Sequence, residues 1–303
     1  MRVSVIIASW NAAGVLGRCL DSVERQQVEG GVETIVVDNA SSDATQELLR
    51  GYGGRVRVIA NDVNARYAGA NNQAAEVAEG DVLFFLNSDA ELRGTDALER
   101  LVASAEDPAV GIVGPLLVNP DGTLQPSCGA HPSVLRSATV SVGAHRLLPD
   151  SVRARIAPDH WSHDRSAETD WVMGAAIAIR ADLFRELGGF WETTYAEEQD
   201  LAYRARERGL QVRFERSATV MHIGNHSLAQ QWSDLERAEH VARAELAFLD
   251  AHYGRGRAGA IRFLTGLGYA GRALVLGLLG RRRASVYAAM ARVYARGVAS
   301  HMS

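Results

Sequence analysis

Three groups of side chains in this 303-residue sequence have types and spacing suited to chemistry. Asn87-Ser88-Asp89 follows the apolar run Phe84-Phe85-Leu86. A carboxylate just beyond a buried strand can ligate a divalent cation, which in turn clamps a diphosphate. His222 ends another apolar run and offers a nitrogen that suits Mn2+ better than Ca2+; taken alone, it reads as a satisfied buried histidine. Tyr195-Ala196-Glu197-Glu198-Gln199-Asp200 sets three acids before a helical stretch, where they favour the helix dipole. One of them, with its pKa raised by its neighbours, would also make a general base for a hydroxyl nucleophile; spacing alone favours the dipole. Asp38 ends the run Glu33–Asp38, where a carboxylate accepts from a base N–H or a ribose hydroxyl, or else closes an Asx turn. Its strand-end position favours the ligand. Asp43 reads as a helix cap.

The elements that must position these residues alternate. Val3–Ala8, Glu33–Asp38, Val56–Ala60 and Asp81–Leu86 are short β-rich runs. Helical spacing follows in Gly14–Arg25, Ala44–Arg50 and Ala68–Ala78. This alternation predicts a doubly wound, mostly parallel α/β sheet. Such sheets bind ligands at the carboxyl ends of their strands. Ser9 and Asn11, Asp38-Asn39, Asn61 to Asn64 and Asn87-Ser88-Asp89 all stand there. Further along, 95–107 is expected to be helical, Ile112–Val118 a strand and 127–168 irregular. Val172–Arg180 is expected to be a strand and Ala181–Leu187 a short helix. Asp200–Arg208 should be a helix, Val212–Glu215 and Ala218–His222 strands, and Ser233–His252 a long helix. The expected divisions are 1–100 and 101–250, two halves of one domain, and a basic amphipathic helical tail at 251–303.

Composition narrows the function classes. With 47% hydrophobic and 22% charged residues, 29 Gly and 7 Pro, the chain is neither disordered nor collagen-like. Two cysteines exclude a disulfide scaffold and a Cys-rich zinc module. Every basic residue is Arg. Residues 1–250 carry 23 Arg and all 36 acids, a net of −13, while 251–303 carry nine Arg and no acid. The whole chain is no nucleic-acid polycation, but its basic tail suits an anionic partner. Ala8 to Gly14 lacks the Gly-x-Gly-x-x-Gly of a nicotinamide-dependent oxidoreductase.

The first ten residues are too short an apolar run for a signal peptide and lack a small-residue cleavage site, so synthesis in the cytosol without export is expected. No transmembrane helix is expected either. In the tail, Phe263, Leu264, Leu267, Leu274, Val275 and Leu278 share one arc, with Arg262 and Arg272 roughly opposite and Arg281-Arg282-Arg283 following. Two arginines within the span argue against crossing a bilayer. Two readings stand side by side: a basic amphipathic segment lying in an anionic membrane interface, and a helical hairpin packed on the body or on a second subunit of a homodimer.

In order, the motifs resemble family 2 glycosyltransferases of the GT-A fold, in their rhamnosyltransferase-like branch. Ser4-Val5-Ile6-Ile7-Ala8-Ser9-Trp10-Asn11 looks like the opening strand and first nucleotide contacts. Val36 to Asp43 looks like the nucleoside-binding turn, and Asn64 to Asn72 like the stretch Asn-x-Gly-Phe-Ala-x-Gly-Asn-Asn. Leu86 to Asp89 resembles the Asp-x-Asp metal site. Gly174-Ala175, Arg180 and Gly188-Gly189-Phe190 resemble the acceptor side. Tyr195 to Leu201 resembles Glu-Asp-x-Asp-Leu, and His222 to Ser227 resembles the closing His-x-Gly-x-x-Ser. The resemblance covers about residues 1–228.

The resemblance implies inverting transfer of a sugar, with a tilt toward rhamnose, from a UDP or dTDP donor to a hydroxyl of a glycan, a lipid-linked glycan or a small molecule. It implies that Ala8, Ser9, Asn11, Asp38, Asn64, Asn72, Asn87 and Ser88 bind the nucleotide sugar. Asp89 and His222 would hold Mg2+ or Mn2+, and Glu198, with Glu197 as the alternative, would be the base. Gly174 would lie on the acceptor side. Trp171, Trp191 and Tyr195 offer faces to sugar rings and equally well pack a core. The chain departs from the family pattern at Arg66 and Ala70, which replace Gly, at Asn87, which replaces the first Asp, and at Glu198, which replaces the usual catalytic Asp. A non-catalytic nucleotide-sugar-binding or membrane-tethering relative is the rival reading.

Overall fold

The computed structural model describes residues 1–192, 195–224 and 232–297. In chain order the main elements are β1 (Val3–Ser9), α1 (Ala13–Glu24), β2 (Val32–Asn39), α2 (Thr45–Tyr52), β3 (Arg57–Asn61), α3 (Arg66–Val77), β4 (Val82–Leu86), β5 (Ala90–Leu92), α4 (Ala97–Ala105) and β6 (Val110–Val118). There follow β7 (Leu124–Gln125), β8 (Cys128–Gly129), α5 (Val134–Ser141), α6 (Asp150–Ile156), β9 (Ala167–Thr169), β10 (Trp171–Val172), β11 (Ala176–Arg180), α7 (Ala181–Leu187), α8 (Glu197–Glu207) and β12 (Gln211–His222). The chain continues with α9 (Asp234–His252), α10 (Arg255–Leu278) and α11 (Ala284–Arg296).

The sheet runs β3-β2-β1-β4-β11-β6-β12-β5. Its first four strands are parallel. β11 is antiparallel to both β4 and β6, and β12 returns parallel to β6. Strand alternation feeds two cores. Val3, Val5, Ile7, Val82 and Phe84 pack on one face with Leu16 and Leu20 of α1 and Leu98 of α4. Ile6, Leu83 and Phe85 pack on the other with Ala70 and Ala74 of α3 and Phe184 of α7. Helices on both faces are why these strands read as unbroken apolar runs. The doubly wound expectation holds.

Three details differ from the sequence expectation. The strand expected over 172–180 breaks, because Trp171–Val172 pairs with β8 while Ala176–Arg180 joins the main sheet. The break leaves the Gly174 backbone unpaired by either sheet. The two strands expected at 212–215 and 218–222 are one strand, interrupted by a register shift between Glu215 and Thr219. The stretch expected to be irregular holds α5, its N-cap Ser133 accepting from the Arg136 N–H, and α6.

Two compact units emerge: Met1–Gly129, Ser162–Glu192 and Glu197–Ser227 in the first; Ala130–Trp161, Thr193–Ala196 and Leu228–Ser303 in the second. The first unit runs through residue 100 without a break. α9 groups with the tail in the second unit. In the second unit, α10 and α11 form an antiparallel hairpin. The Tyr269 and Tyr287 rings stack near its closed end, and Arg262 Nε donates to the Tyr294 carbonyl at 2.8 Å near its open end. Among the described residues no helix is long and apolar enough to cross a membrane.

Candidate active site

The site begins where β4 ends. Its last residue, Leu86, is registered with Ala176 of β11, and the Asn87 N–H donates to the Ala175 carbonyl at 2.9 Å. Residues 87–89 turn back into β5, where Ala90 is registered with His222 at the end of β12. The Ile223 N–H donates to the Asp89 carbonyl at 3.0 Å. This pairing delivers Asp89 Oδ1 to within 3.3 Å of His222 Nε2, both side chains nearly buried. The Asn87 amide nitrogen lies 3.2 Å from the same Nε2.

A residue the sequence reading missed sets the imidazole. Gln125 Oε1 is 2.8 Å from His222 Nδ1. Gln125 Nε2 donates to Asn119 Oδ1 at 3.1 Å and to the His222 carbonyl at 3.4 Å, which fixes the direction of the amide. Nδ1 therefore donates to Gln125, and in the neutral ring Nε2 would present its lone pair toward Asp89. A lone pair facing a carboxylate oxygen at this distance suits a shared cation, and a second-shell acceptor on the other ring nitrogen is the usual companion of a metal-binding histidine. Among the described residues no group of three or more His, Cys, Asp or Glu side chains could hold a metal. The residues present thus fit a cation with two protein ligands, Asp89 and His222. The only local hint of Gln125 was the turn Asn119-Pro120-Asp121-Gly122, which folds β7 back along β6.

The acid cluster adjoins the same strand end through Gly174. A Cβ built on Gly174 would lie 3.6 Å from the Glu198 carboxyl, ordinary contact distance, so the carboxyl stands beside this loop. Burial pushes the Glu198 carboxyl above the usual carboxylate range; the backbone N–H groups of Glu198 itself and of Gly174 oppose the rise. The cause is desolvation first, not the neighbouring acids the sequence suggested. Tyr67, also missed, donates its hydroxyl to the Gly174 carbonyl at 2.8 Å and pins that loop. The buried Tyr67 hydroxyl is raised well above its ordinary pKa, first by burial and then by the Glu198 and Glu197 charges. Glu197 is itself buried. Asp200, expected as the first residue of a helix, is the fourth residue of α8, which begins at Glu197. It pairs with Arg204, whose guanidinium also donates to the Leu187 and Gly189 carbonyls. Asp200 is therefore a brace between α7 and α8.

The candidate nucleoside residues lie on the next two strands of the sheet. Ser9 and Asp38 are registered side by side at the carboxyl ends of β1 and β2, with Ala8 beside Val37. Both side chains are buried, and Ser9 Oγ and Asp38 Oδ1 have no hydrogen-bond partner among the described residues. Gln46 of α2 donates to Asp38 Oδ2 at 2.9 Å. These are the orphaned polar atoms a nucleoside would satisfy.

Other sequence-predicted residues build this frame. Asn11, at φ 47°, accepts the Ser42 N–H at 2.8 Å and so ties the first loop to the second. Asn64 accepts the Arg66 N–H at 2.8 Å at the start of α3. Asn72 donates to and accepts from the Phe190 backbone, holding the Gly189-Phe190 turn against α3. Ser88 is buried between the metal-ligand candidate and Asn87 in the chain. The Trp171 ring covers Gly129 so closely that any Cβ there would fall 1.8 Å from it, a packing role. Trp191 is half-buried in the first unit. Tyr195 belongs to the second unit, where its ring tilts against Trp232 at 5.9 Å. Asn225, His226 and Ser227 of the closing motif lie outside the described residues.

Residues 4–131 match the family described as Glycosyl transferase family 2. An uncharacterized protein of Sinorhizobium fredii is 31% identical over 214 residues, which is 68% of this chain but only 23% of that protein. The chain thus spans less than a quarter of that relative's length. The N-acetylglucosaminyl-diphospho-decaprenol L-rhamnosyltransferase of Mycobacterium tuberculosis is 26% identical over 273 residues, 84% of this chain and 86% of that one. Among solved structures, the mannosyltransferase of Pyrobaculum calidifontis in complex with GDP-Man and Mn2+ superposes with a TM-score of 0.59 at 19% identity, covering 96% of this chain and 79% of that one. With the architecture above, residues 4–131 belong to the family 2 glycosyltransferases, and the chain has the GT-A fold.

Proposed function

We propose that the protein transfers a sugar, with inversion, from a UDP or dTDP donor to a hydroxyl of a glycan or lipid-linked glycan. Rhamnose is the preferred candidate, because named relatives include rhamnosyltransferases, one of them acting on a decaprenol-linked acceptor. Ser9 and Asp38 would satisfy the nucleoside at the ends of β1 and β2. Asp89 and His222 would hold Mg2+ or Mn2+, and the bound ion supplies charge neutralisation at the departing diphosphate. Asn87 sits beside them as a donor. Glu198 would accept the proton of the attacking hydroxyl. Its desolvated environment raises its proton affinity, as a base requires. Glu197 is the alternative base.

The observation that carries this reading is the Asp89–His222 pair at 3.3 Å, tuned by Gln125 and contiguous with Glu198 through Asn87, Ala175 and Gly174. We place the enzyme in the cytoplasm, peripheral on the inner face of the membrane, where a lipid-linked acceptor is presented. A thermal-shift screen of nucleotide sugars with and without Mn2+ tests it: a true donor stabilises the fold by mass action and does so more strongly with the metal. No stabilisation by any UDP or dTDP sugar, with or without metal, overturns the reading.

A further inference from the structure

In the tail helix α10, Ala258, Ile261 and Gly268 are buried, and the polar residues of its middle face the protein beside them. Arg262 donates to the Tyr294 carbonyl and Arg272 to the Val140 carbonyl at 2.7 Å. Thr265 Oγ1 donates to Ser137 Oγ at 3.1 Å, and Ser141 Oγ donates to the Leu264 carbonyl at 2.8 Å. Gly268 admits α5 so closely that a Cβ would fall 2.5 Å from Ser141 Oγ. Small residues and hydrogen bonds at the seam, with apolar side chains outside, are how helices associate in lipid rather than in water.

The outer face is correspondingly apolar. Phe263, Leu267, Leu274 and Leu278 are 69%, 59%, 66% and 80% exposed, and Val275 and Leu279 continue the stripe. Water-facing stripes of this kind mark a surface that is covered in use. Charge says what covers it. Arg281, Arg282 and Arg283 are all exposed where the stripe ends, and 251–303 contain no acid to offset nine arginines. A second copy of this chain would oppose that charge with its own in a two-fold contact, whereas anionic lipid headgroups neutralise it. The helix cannot span a bilayer, which leaves it lying in the interface.

We infer that the outward face of α10 docks on an anionic bilayer, with Phe263, Leu267, Leu274 and Leu278 among the acyl chains and Arg281–Arg283 at the headgroups. This deepens the membrane part of the proposed function and rests on it. The hairpin and the interfacial helix, which the sequence left as alternatives, become two sides of one element.

The test is flotation of the full chain with vesicles of phosphatidylcholine containing phosphatidylglycerol, against pure phosphatidylcholine. Two variants are compared: Phe263→Ser/Leu267→Ser/Leu274→Ser, and Arg281→Gln/Arg282→Gln/Arg283→Gln. All six side chains are exposed, so the fold is retained, and each variant's donor-induced thermal shift reports separately on the catalytic reading. Intact protein floats with the anionic vesicles and less so in high salt. The arginine variant partitions about a hundredfold more weakly, and the serine variant loses a comparable factor. Equal flotation of all three, or no flotation of the intact chain, overturns the inference. So does a dimer in light scattering that the serine variant dissociates while flotation is unchanged; the stripe is then a self-interface.

Discussion

His222 Nδ1 lies 2.8 Å from Gln125 Oε1, and the same imidazole turns Nε2 toward Asp89 Oδ1 at 3.3 Å. The acceptor on one ring nitrogen decides what the other can do. A glutamine in a two-residue strand thereby prepares a histidine at the end of a twelve-residue one.

Replacing that acceptor separates positioning from ligation. Gln125→Leu is expected to weaken Mn2+ binding about 10- to 100-fold, read by calorimetric titration of the protein without donor. Gln125→Glu keeps an oxygen toward Nδ1 and should restore most of the loss. Equal Mn2+ affinity in Gln125→Leu and the unaltered protein would show that the contact is packing alone.

Asp89→Ala should abolish transfer while the chain still unfolds cooperatively, because Asp89 stands at a strand end and contributes little apolar burial. Excess EDTA should silence the unaltered enzyme in the same assay. Full turnover under either condition removes the metal-assisted scheme.

Glu198→Gln should keep donor affinity and lose roughly 10²–10⁴-fold in turnover, since an amide holds the geometry but takes no proton. Glu197→Gln should do less; the reverse order would move the base by one residue. Because burial raises the Glu198 pKa, the acidic limb of the rate profile should sit above that of an ordinary carboxylate, with activity falling as pH falls through it. The sign for stability is opposite. A carboxyl that binds its proton more tightly when folded opposes folding above its native pKa, so stability declines as pH rises through that range. Glu198→Gln should remove that decline in urea titrations at mildly acidic and neutral pH.

Asp200→Asn should act on the fold. It leaves Arg204 without its carboxylate between α7 and α8. The expected loss is roughly 2–3 kcal/mol, below a fully buried pair because Arg204 keeps some solvent contact. Urea midpoints measure it. Unchanged stability with lost turnover would instead put Asp200 in the chemistry.

The apolar runs Val3–Ala8 and Asp81–Leu86, with helical spacing between them, were enough to place Ser9, Asp38 and Asp89 at strand carboxyl ends. Those readings depend only on local periodicity and on where polar residues interrupt it. The motif around Asn64 to Asn72 was legible too, but not its use. Asn64 and Asn72 stand in a recognisable pattern, yet both have amide groups engaged by backbone, at Arg66 and at Phe190. A pattern shows which residues occur together, not which hydrogen bonds they make.

What the sequence alone determined was the alternating architecture, the strand-end polar residues, the order of the family motifs and the periodicity of the tail. Local propensity and the burial of apolar runs decide these. Only the tertiary structure decided that Gln125 holds His222, because the contact spans 97 residues and leaves no local trace. Only it showed that burial raises the Glu198 pKa while the Gly174 N–H opposes the rise. It also decided which way α10 faces. Periodicity defines an apolar stripe and a polar stripe, but not which of them is covered. Here the carbonyls of Val140 and Tyr294 attract Arg272 and Arg262 inward, and the small Gly268 allows the close approach that turns the leucines outward.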